Sequence, residues 1–389
     1  MTPPARMAAA IEALEAVERS DAPAERVLAA WGRANRYAGS KDRAAVADRV
    51  FDCLRRRRSL AWPLRADTAR AAVIGSVLAE GGDPAALFTG QGHAPAALTA
   101  DEFAALAEPP PPPPDPVRLD YPDWLDAPLR EGLGASFEAS LLAMRTRAPV
   151  DMRVNTLRAD VDAARRRLSA DGVETSPGPF PELAPHCLRA APGAPVARGR
   201  AYADGLVELQ DAASQAVAAF AAARPGEAVL DFCAGGGGKT LALAADMGGP
   251  AAPGRLIAHD AAPRRMADLP ARLARAGARA DLVAPERLAA LGGRCDLVFV
   301  DAPCSGSGAW RRDPAAKWRL TPEKLARLCA LQADVLEAAR ACLRRGGRLV
   351  YATCSVLPQE NAGRFTGDAR RVLLPADGAD GFYAALAQF

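Results

Sequence analysis

Apolar residues in the first hundred positions recur at spacings of three and four, in residues 9–17, 27–31 and 45–54. An amphipathic helix needs that period to bury one face, so 1–107 is predicted to be an all-α unit, with Ser40 capping a helix that starts at Lys41. Six consecutive prolines, 109–114, then Asp115 and Pro116, interrupt the pattern. Such a run cannot continue a helix and favours an extended, semi-rigid segment, so a linker is expected over 108–118. Residues 119–205 mix short helices (121–146), a branched strand (150–157) and an amphipathic helix (161–168) ending at Gly172, which fits a small α+β module. From 206 onward the texture changes again. Strands at 228–232, 256–259, 296–300 and 348–353 alternate with helices beginning at 240, 264 and 322, which argues for a parallel, doubly wound sheet with ligands at the carboxyl ends of its strands.

A chain of 389 residues corresponds to about two or three domains at roughly 150 residues each. With 50% hydrophobic and 24% charged residues, it is neither collagen-like nor wholly disordered. The longest uncharged apolar stretches, such as 212–223, fall short of the roughly 20 residues a membrane helix needs, and residues 1–18 carry acids where a signal peptide is bare. A cytoplasmic protein without membrane partners is expected. The net charge of +3 is unevenly placed: nine Lys or Arg stand against three Asp between Arg33 and Arg58. That segment can face phosphates or simply be a solvated helix face, and charge alone does not separate the two. Eight cysteines include no CxxC pair and no Cys/His cluster, so neither a disulfide framework nor a metal site is expected. Cys53, Cys187, Cys295, Cys329 and Cys342 read as small buried apolar residues.

The strand 228–232 runs into Cys233, Ala234, Gly235, Gly236, Gly237, Gly238 and Lys239 and then directly into a helix. Glycines there let backbone approach a ligand closely, and a helix N-terminus offers free N–H groups to an anion. A triphosphate loop of the form GxxxxGK[ST] needs glycine where Cys233 stands, which disfavours a nucleoside triphosphate; a dinucleotide fold and a plain flexible turn stay open. Asp260, after the next strand, can accept hydrogen bonds from ribose hydroxyls, the plainer alternative being a surface carboxylate. The strand 297–300 leads into Asp301, Ala302, Pro303 and Cys304, and the strand 349–352 into Thr353, Cys354 and Ser355. Two cysteines at neighbouring strand ends beside a carboxylate suggest covalent chemistry.

These motifs resemble those of the RsmB/Sun-type RNA cytosine-5 methyltransferases, a branch of the class I S-adenosylmethionine-dependent enzymes: an acidic residue, Cys-Ala and a GGK turn at the first strand, DAPCS at the fourth and TCS at the strand after it. Residues 153–157, RVNTL, are similar to the segment opening the family's RNA-binding module, 210–215 to its QDxASQ segment, and 39–55 to the NusB-type helical domain of many bacterial members. The resemblance implies an α/β fold, a class I Rossmann-like doubly wound sheet over 206–389, preceded by a small α+β RNA-binding module and an all-α NusB-like RNA-binding domain. It implies S-adenosyl-L-methionine as cofactor, held by Cys233 through Lys239, Asp260, Glu286 and Asp301. It also assigns Cys354 as the nucleophile, Cys304 to loss of the hydrogen on carbon 5 and enzyme release, and Asp301 to nitrogen 3. Carbon 5 of cytosine is a poor nucleophile, and a thiolate that adds to carbon 6 turns it into an enamine carbon. Three departures stand out: Gly235-Gly236 replaces the family's Ala-Pro, Glu286 stands where the family has Asp, and the chain ends soon after the last strand read, 348–353.

RNA is the expected partner of a monomer, ribosomal RNA ahead of transfer RNA by analogy with the NusB-like domain. The helical domain and the module around Asn155 would hold structured RNA together, with Arg33–Arg58 adding phosphate contacts. DNA cytosine methyltransferases carry a Pro-Cys nucleophile at the fourth strand, which Pro303-Cys304 also offers; Cys354 and the RVNTL segment favour RNA. A non-catalytic ribosome-assembly protein of this fold would need lost cysteines or a blocked loop, and neither is seen.

Overall fold

The computed structural model describes residues 1–389. By its internal contacts the chain divides into two compact units, one of residues 1–130, 134–147 and 309–320, the other of 131–133, 148–308 and 321–389. No helix in either is long and apolar enough to cross a membrane.

In the first unit, helices Pro3–Glu18, Ala24–Ala34, Ser40–Arg55 and Ala69–Ala79 bury Leu14, Val46, Val50, Leu54 and Ile74 in one core, as their three-and-four spacing requires. The cap before Lys41 differs from expectation. Gly39 is the capping residue, its N–H donates to Asp42 Oδ2 at 3.2 Å, and Ser40 is already helical. A carboxylate three residues into a helix can reach back to the cap's N–H and also favours the positive end of the dipole, and here it does so in place of the Ser40 hydroxyl.

The proline run packs within this unit, where Trp62 Nε1 donates to the Pro111 carbonyl at 2.8 Å. The short helix Pro314–Arg319 also belongs to it. Ala315 joins the core, Trp318 Nε1 donates to Leu54 O at 2.7 Å, and Lys317 Nζ donates to Arg55 O at 3.1 Å. Two orphan carbonyls at the end of Ser40–Arg55 are thereby satisfied. Burial pushes the Lys317 ammonium down to about 8, with the Asp120 charge opposing.

The second unit holds two sheets. The smaller comprises β1 (Val150–Val154), β2 (Ser176–Pro177), β3 (Cys187–Ala190) and β4 (Val207–Leu209) in the order β2-β3-β1-β4. The larger comprises β5 (Ala228–Asp231), β6 (Arg255–His259), β7 (Asp281–Val283), β8 (Cys295–Asp301), β9 (Leu343–Thr353), β10 (Ala369–Leu373) and β11 (Phe382–Gln388), ordered β10-β11-β9-β8-β5-β6-β7. Strands β5 to β9 run parallel, while β11 lies antiparallel to both β9 and β10.

Alternate residues of the central strands feed opposite faces: Leu297, Phe299, Val350 and Ala352 enter one core, Val298, Val300, Leu349 and Tyr351 the other. A strand covered on both faces reads as a continuous apolar run, which is how β8 and β9 were legible. Two strands that the sequence reading did not include, β10 and β11, follow β9. Their sequences, the charged ARRVL and the Ala-rich FYAALAQ, show no continuous run of branched residues.

Asn155 and Arg153, in the module expected to hold RNA, are themselves buried and structural. Asn155 Nδ2 donates to the carbonyls of Gly205 and Ala276, both at 2.8 Å, and Arg153 Nε donates to Gln210 Oε1 at 2.8 Å. The RVNTL and QDAASQ segments thus join the small sheet to the larger one.

Candidate active site

The strand order reverses between β5 and β8, and open α/β sheets bind ligands in the crevice that such a reversal leaves at their carboxyl edge. β5 ends at Asp231, β8 at Asp301 and β9 just before Cys354. These positions bring most of the expected site residues to one edge.

After β5 the chain turns through Gly235 (φ 51°) and Gly237 (φ 85°) into the helix Gly238–Asp246. Both angles lie in the left-handed region that favours glycine. At Gly237 space is also limiting, because an added Cβ would stand 2.2 Å from Leu269 Cδ1, whereas at Gly238 it would meet nothing within 4 Å. Cys233 is a half-buried thiol whose ionisation burial pushes well up, and Ala234 N donates to His259 O at 2.8 Å. Lys239 is buried with Nζ 2.6 Å from Asp301 Oδ2 and 5.2 Å from the Phe382 ring centroid. Burial alone would lower the Lys239 ionisation; the adjoining Asp301 carboxylate outweighs it, and the ammonium is retained.

Asp260 follows β6 as expected, yet its carboxylate is turned inward. Oδ2 accepts Gly235 N at 3.0 Å and Oδ1 accepts Ala262 N at 2.9 Å, with Arg265 Nη1 3.1 Å from Oδ2. It braces the glycine turn and lies under an exposed arginine. Glu286 is exposed on the 3-10 turn Pro285–Leu291 after β7.

The two thiols are together: Cys304 Sγ and Cys354 Sγ are 3.4 Å apart, both half-buried. The Cys304 thiol is pushed well up by its hydrogen bond with Cys354, by burial, and by the charges of Cys354 and Glu360. Either sulfur can be the donor in this contact, and the raised Cys304 ionisation favours its neutral thiol form.

A small amphipathic cofactor carrying an ammonium group and a ribose fits this edge on one observation in particular. Asp231 is fully buried, its Oδ2 accepts Thr240 Oγ1 at 2.6 Å, and its Oδ1 has no hydrogen-bond partner. Burial pushes this carboxyl up to about 7 despite the Thr240 bond. A buried unpaired acceptor beside a glycine turn suits a cationic group.

Sequence reasoning missed Asp231 as a site residue and missed the buried polar group beneath the cysteines: Ser305, Ser307, Ser355, Glu360 and Asn361. One signal was available, since a serine follows each of the two cysteines.

An open sheet reversing at β5/β8, a glycine turn after β5 and paired thiols after β8 and β9 define a class I methyltransferase fold with a two-cysteine site. Residues 218–371 match the family model "16S rRNA methyltransferase RsmB/F", and residues 121–196 match the ferredoxin-like domain of RsmF/B-like methyltransferases. The chain belongs to the RsmB/F family. Among curated proteins it is 35% identical over 251 residues to ribosomal RNA small subunit methyltransferase B of Citrobacter koseri, covering 63% of this chain and 56% of that one, and 34% identical over 259 residues to the protein of that name from Salmonella arizonae. The chain thus aligns with little more than half the length of these relatives. In fold it is similar to the crystal structure of PH0851 (TM-score 0.74, 24% identity, 99% of each chain) and to that of NSun6 from Pyrococcus horikoshii with SFG (TM-score 0.59, 18% identity, 68% of this chain and 97% of that one).

Proposed function

We propose that this protein methylates carbon 5 of a cytosine in ribosomal RNA, using S-adenosyl-L-methionine and a covalent adduct on Cys354. The observation that carries the reading is the 3.4 Å pairing of two thiols, Cys304 and Cys354, that follow neighbouring strands β8 and β9. The ribosomal substrate is supported by the relatives' names, ribosomal RNA small subunit methyltransferase B.

Asp231, the loop from Cys233 to Lys239, and Asp260 would hold the cofactor, with Glu286 reaching it only from its exposed turn. When bound, the cofactor supplies an electrophilic methyl group. The chain's own residues do the rest. Cys354 as thiolate adds to carbon 6, nitrogen 3 takes a proton from solvent as the ring takes up electrons, and the Asp301 carboxylate, oriented by Lys239, accepts the resulting N–H, leaving carbon 5 nucleophilic. Once Cys354 is a thioether it is only a weak acceptor and can carry no negative charge, so two of the causes that raise Cys304 are relieved. Cys304 then gives its proton to solvent and becomes the base that takes the hydrogen from carbon 5. That C–H electron pair restores the ring double bond and expels the Cys354 thiolate. Carbon 6 is reachable only in an unstacked base, so a locked duplex should react poorly.

A denaturing gel of protein with RNA and cofactor tests the order of events. Cys304→Ala is expected to accumulate a protein–RNA adduct, and Cys354→Ala to form neither adduct nor product. An adduct trapped by Cys354→Ala would reverse the assignment and revive the Pro303-Cys304 nucleophile. Bisulfite sequencing of total RNA from cells with and without the gene tests the substrate: loss of a mark in ribosomal RNA supports the reading, and loss in transfer RNA alone replaces it.

A further inference from the structure

Ser305 and Ser355 each follow one of the two cysteines, and both turn to a single carboxylate. Glu360 closes the 3-10 turn Pro358–Glu360 and is fully buried. Its Oε1 accepts Ser305 N at 2.8 Å and Gln332 Nε2 at 3.1 Å, and its Oε2 accepts Ser305 Oγ at 2.5 Å and Ser355 Oγ at 2.6 Å. Four donors occupy the acceptor capacity of one carboxylate, which is what a buried charge of this kind requires.

Further bonds follow the same line. Gln332 Nε2 also donates to Pro303 O at 3.0 Å, immediately before Cys304. Ser307 Oγ lies 2.9 Å from Ser355 Oγ and accepts Val356 N at 3.0 Å, and Gly308 N donates to Cys354 O at 2.9 Å. The loops 303–308 and 353–357 come from different strands, and side-chain bonds meeting at Glu360 tie one to the other.

We propose that Glu360 is a positioning residue, which fixes the spacing of Cys304 and Cys354 by gathering Ser305 and Ser355 onto one buried carboxylate. The inference rests on the methyltransferase reading for its consequence in catalysis, but the clamp itself is a property of the thiols. Its negative charge is also one of the causes that push the Cys304 thiol up, after the Cys354 hydrogen bond and burial. Glu360 touches neither sulfur in this arrangement. It acts through the serines, and loops left free to separate would misplace two groups that must act in sequence.

The test uses the full chain carrying Glu360→Gln, with three readouts. The first is methyl transfer from labelled S-adenosylmethionine to total RNA from cells lacking the gene. The second is the rate at which diamide closes a Cys304–Cys354 disulfide. The third is the pH midpoint of Cys304 alkylation by iodoacetamide, read by mass spectrometry. Methyl transfer is expected to fall about 100-fold in kcat with KM for the cofactor little changed, and disulfide closure to slow about tenfold, as misplaced reacting groups do. The alkylation midpoint should drop by about one pH unit once the neighbouring negative charge is gone. Should this variant fail to fold, Ser305→Ala removes one of the four bonds and keeps the charge, and slower disulfide closure is again expected. Wild-type closure rates in the variants that fold, with the Glu360→Gln midpoint unmoved wherever that variant can be measured, would overturn the proposal. If the wild-type protein methylates no RNA while the thiol readouts respond, the clamp stands and the methyltransferase reading falls.

Discussion

Lys239 Nζ and Asp301 Oδ2 are 2.6 Å apart, so the helix after β5 and the end of β8 share one ion pair at the carboxyl edge of the sheet. The Asp301 carboxylate is the main influence keeping buried Lys239 charged, and Lys239 Nζ in turn holds that carboxylate. Lys239→Met should therefore lower methyl transfer by about 10²-fold or more, the scale of a misplaced acid–base group. In a double-mutant cycle, Lys239→Met with Asp301→Asn should be little worse than Asp301→Asn alone. Additive losses would show that the two residues act independently.

The four consecutive glycines are not equivalent. A methyl group at Gly237 meets Leu269 Cδ1 at 2.2 Å on a backbone of positive φ, while at Gly238 it meets open space. Gly237→Ala is expected to destabilise the protein by about 2–4 kcal/mol, combining overpacking with a left-handed alanine. Gly238→Ala should be tolerated. Equal thermal denaturation midpoints for the two variants would contradict this ranking.

Asp231 gives the proposed cofactor site a pH dependence. Its folded-state ionisation is pushed up to about 7 by burial, against about 3.9 for a free aspartate. The folded protein then binds a proton that the unfolded chain releases between those values. Stability contributed by this group is present at low pH and is lost as pH rises towards 7, by a few kcal/mol in order of magnitude. Asp231→Asn should accordingly stabilise the ligand-free protein at pH 8. A cationic ligand would recover the charge, so affinity for S-adenosylmethionine should rise from pH 6 to pH 8 in the wild-type protein and stay flat in the variant. Calorimetry across that range decides it, and a flat wild-type profile would remove Asp231 from the site.

The basic segment splits into two parts. Arg55 Nε donates to Arg311 O at 2.8 Å, Arg56 pairs with Asp52, Arg57 with Glu18 at 2.8 Å, and Arg58 with Asp123 at 2.6 Å. Arg33, Arg36 and Lys41 are exposed, beside the exposed ring of Tyr37. Replacing these three with Ser is expected to weaken RNA binding and to reduce the slope of log K against log salt by about two to three. Replacing Arg55 to Arg58 should instead lower the denaturation midpoint. Filter binding at several salt concentrations, with a thermal melt of each variant, separates the two.

The parallel core and the thiol pair were legible in the sequence because each is written locally. Apolar runs such as Leu297 to Val300 mark strands covered on both faces, and strand ends mark a ligand edge. The inward turn of Asp260 was not legible, since its partners are the backbone N–H groups of Gly235 and Ala262, which every residue but proline carries. Nor was the burial of Asn155 legible, because it depends on a carbonyl at Ala276, 121 residues away. Glu360 lay hidden for the same reason: a buried carboxylate is intelligible only once its four donors are known. The last two strands escaped because a charged segment, ARRVL, and an alanine-rich one, FYAALAQ, carry a weak β signal until a neighbour pairs with them.

The short helix Pro314–Arg319 belongs to the first compact unit although the chain reaches it only after making β1 to β8. During synthesis, the helices up to Arg147 must therefore wait for residues 309–320 before Ala315 can enter their core and the carbonyls of Leu54 and Arg55 gain Trp318 and Lys317. At about 5–20 residues per second that interval is roughly ten to thirty seconds. For that time the amino-terminal helices emerge from the ribosome without their last piece, and a nascent-chain protease assay should find them protected only when the stalled chain extends beyond Leu320.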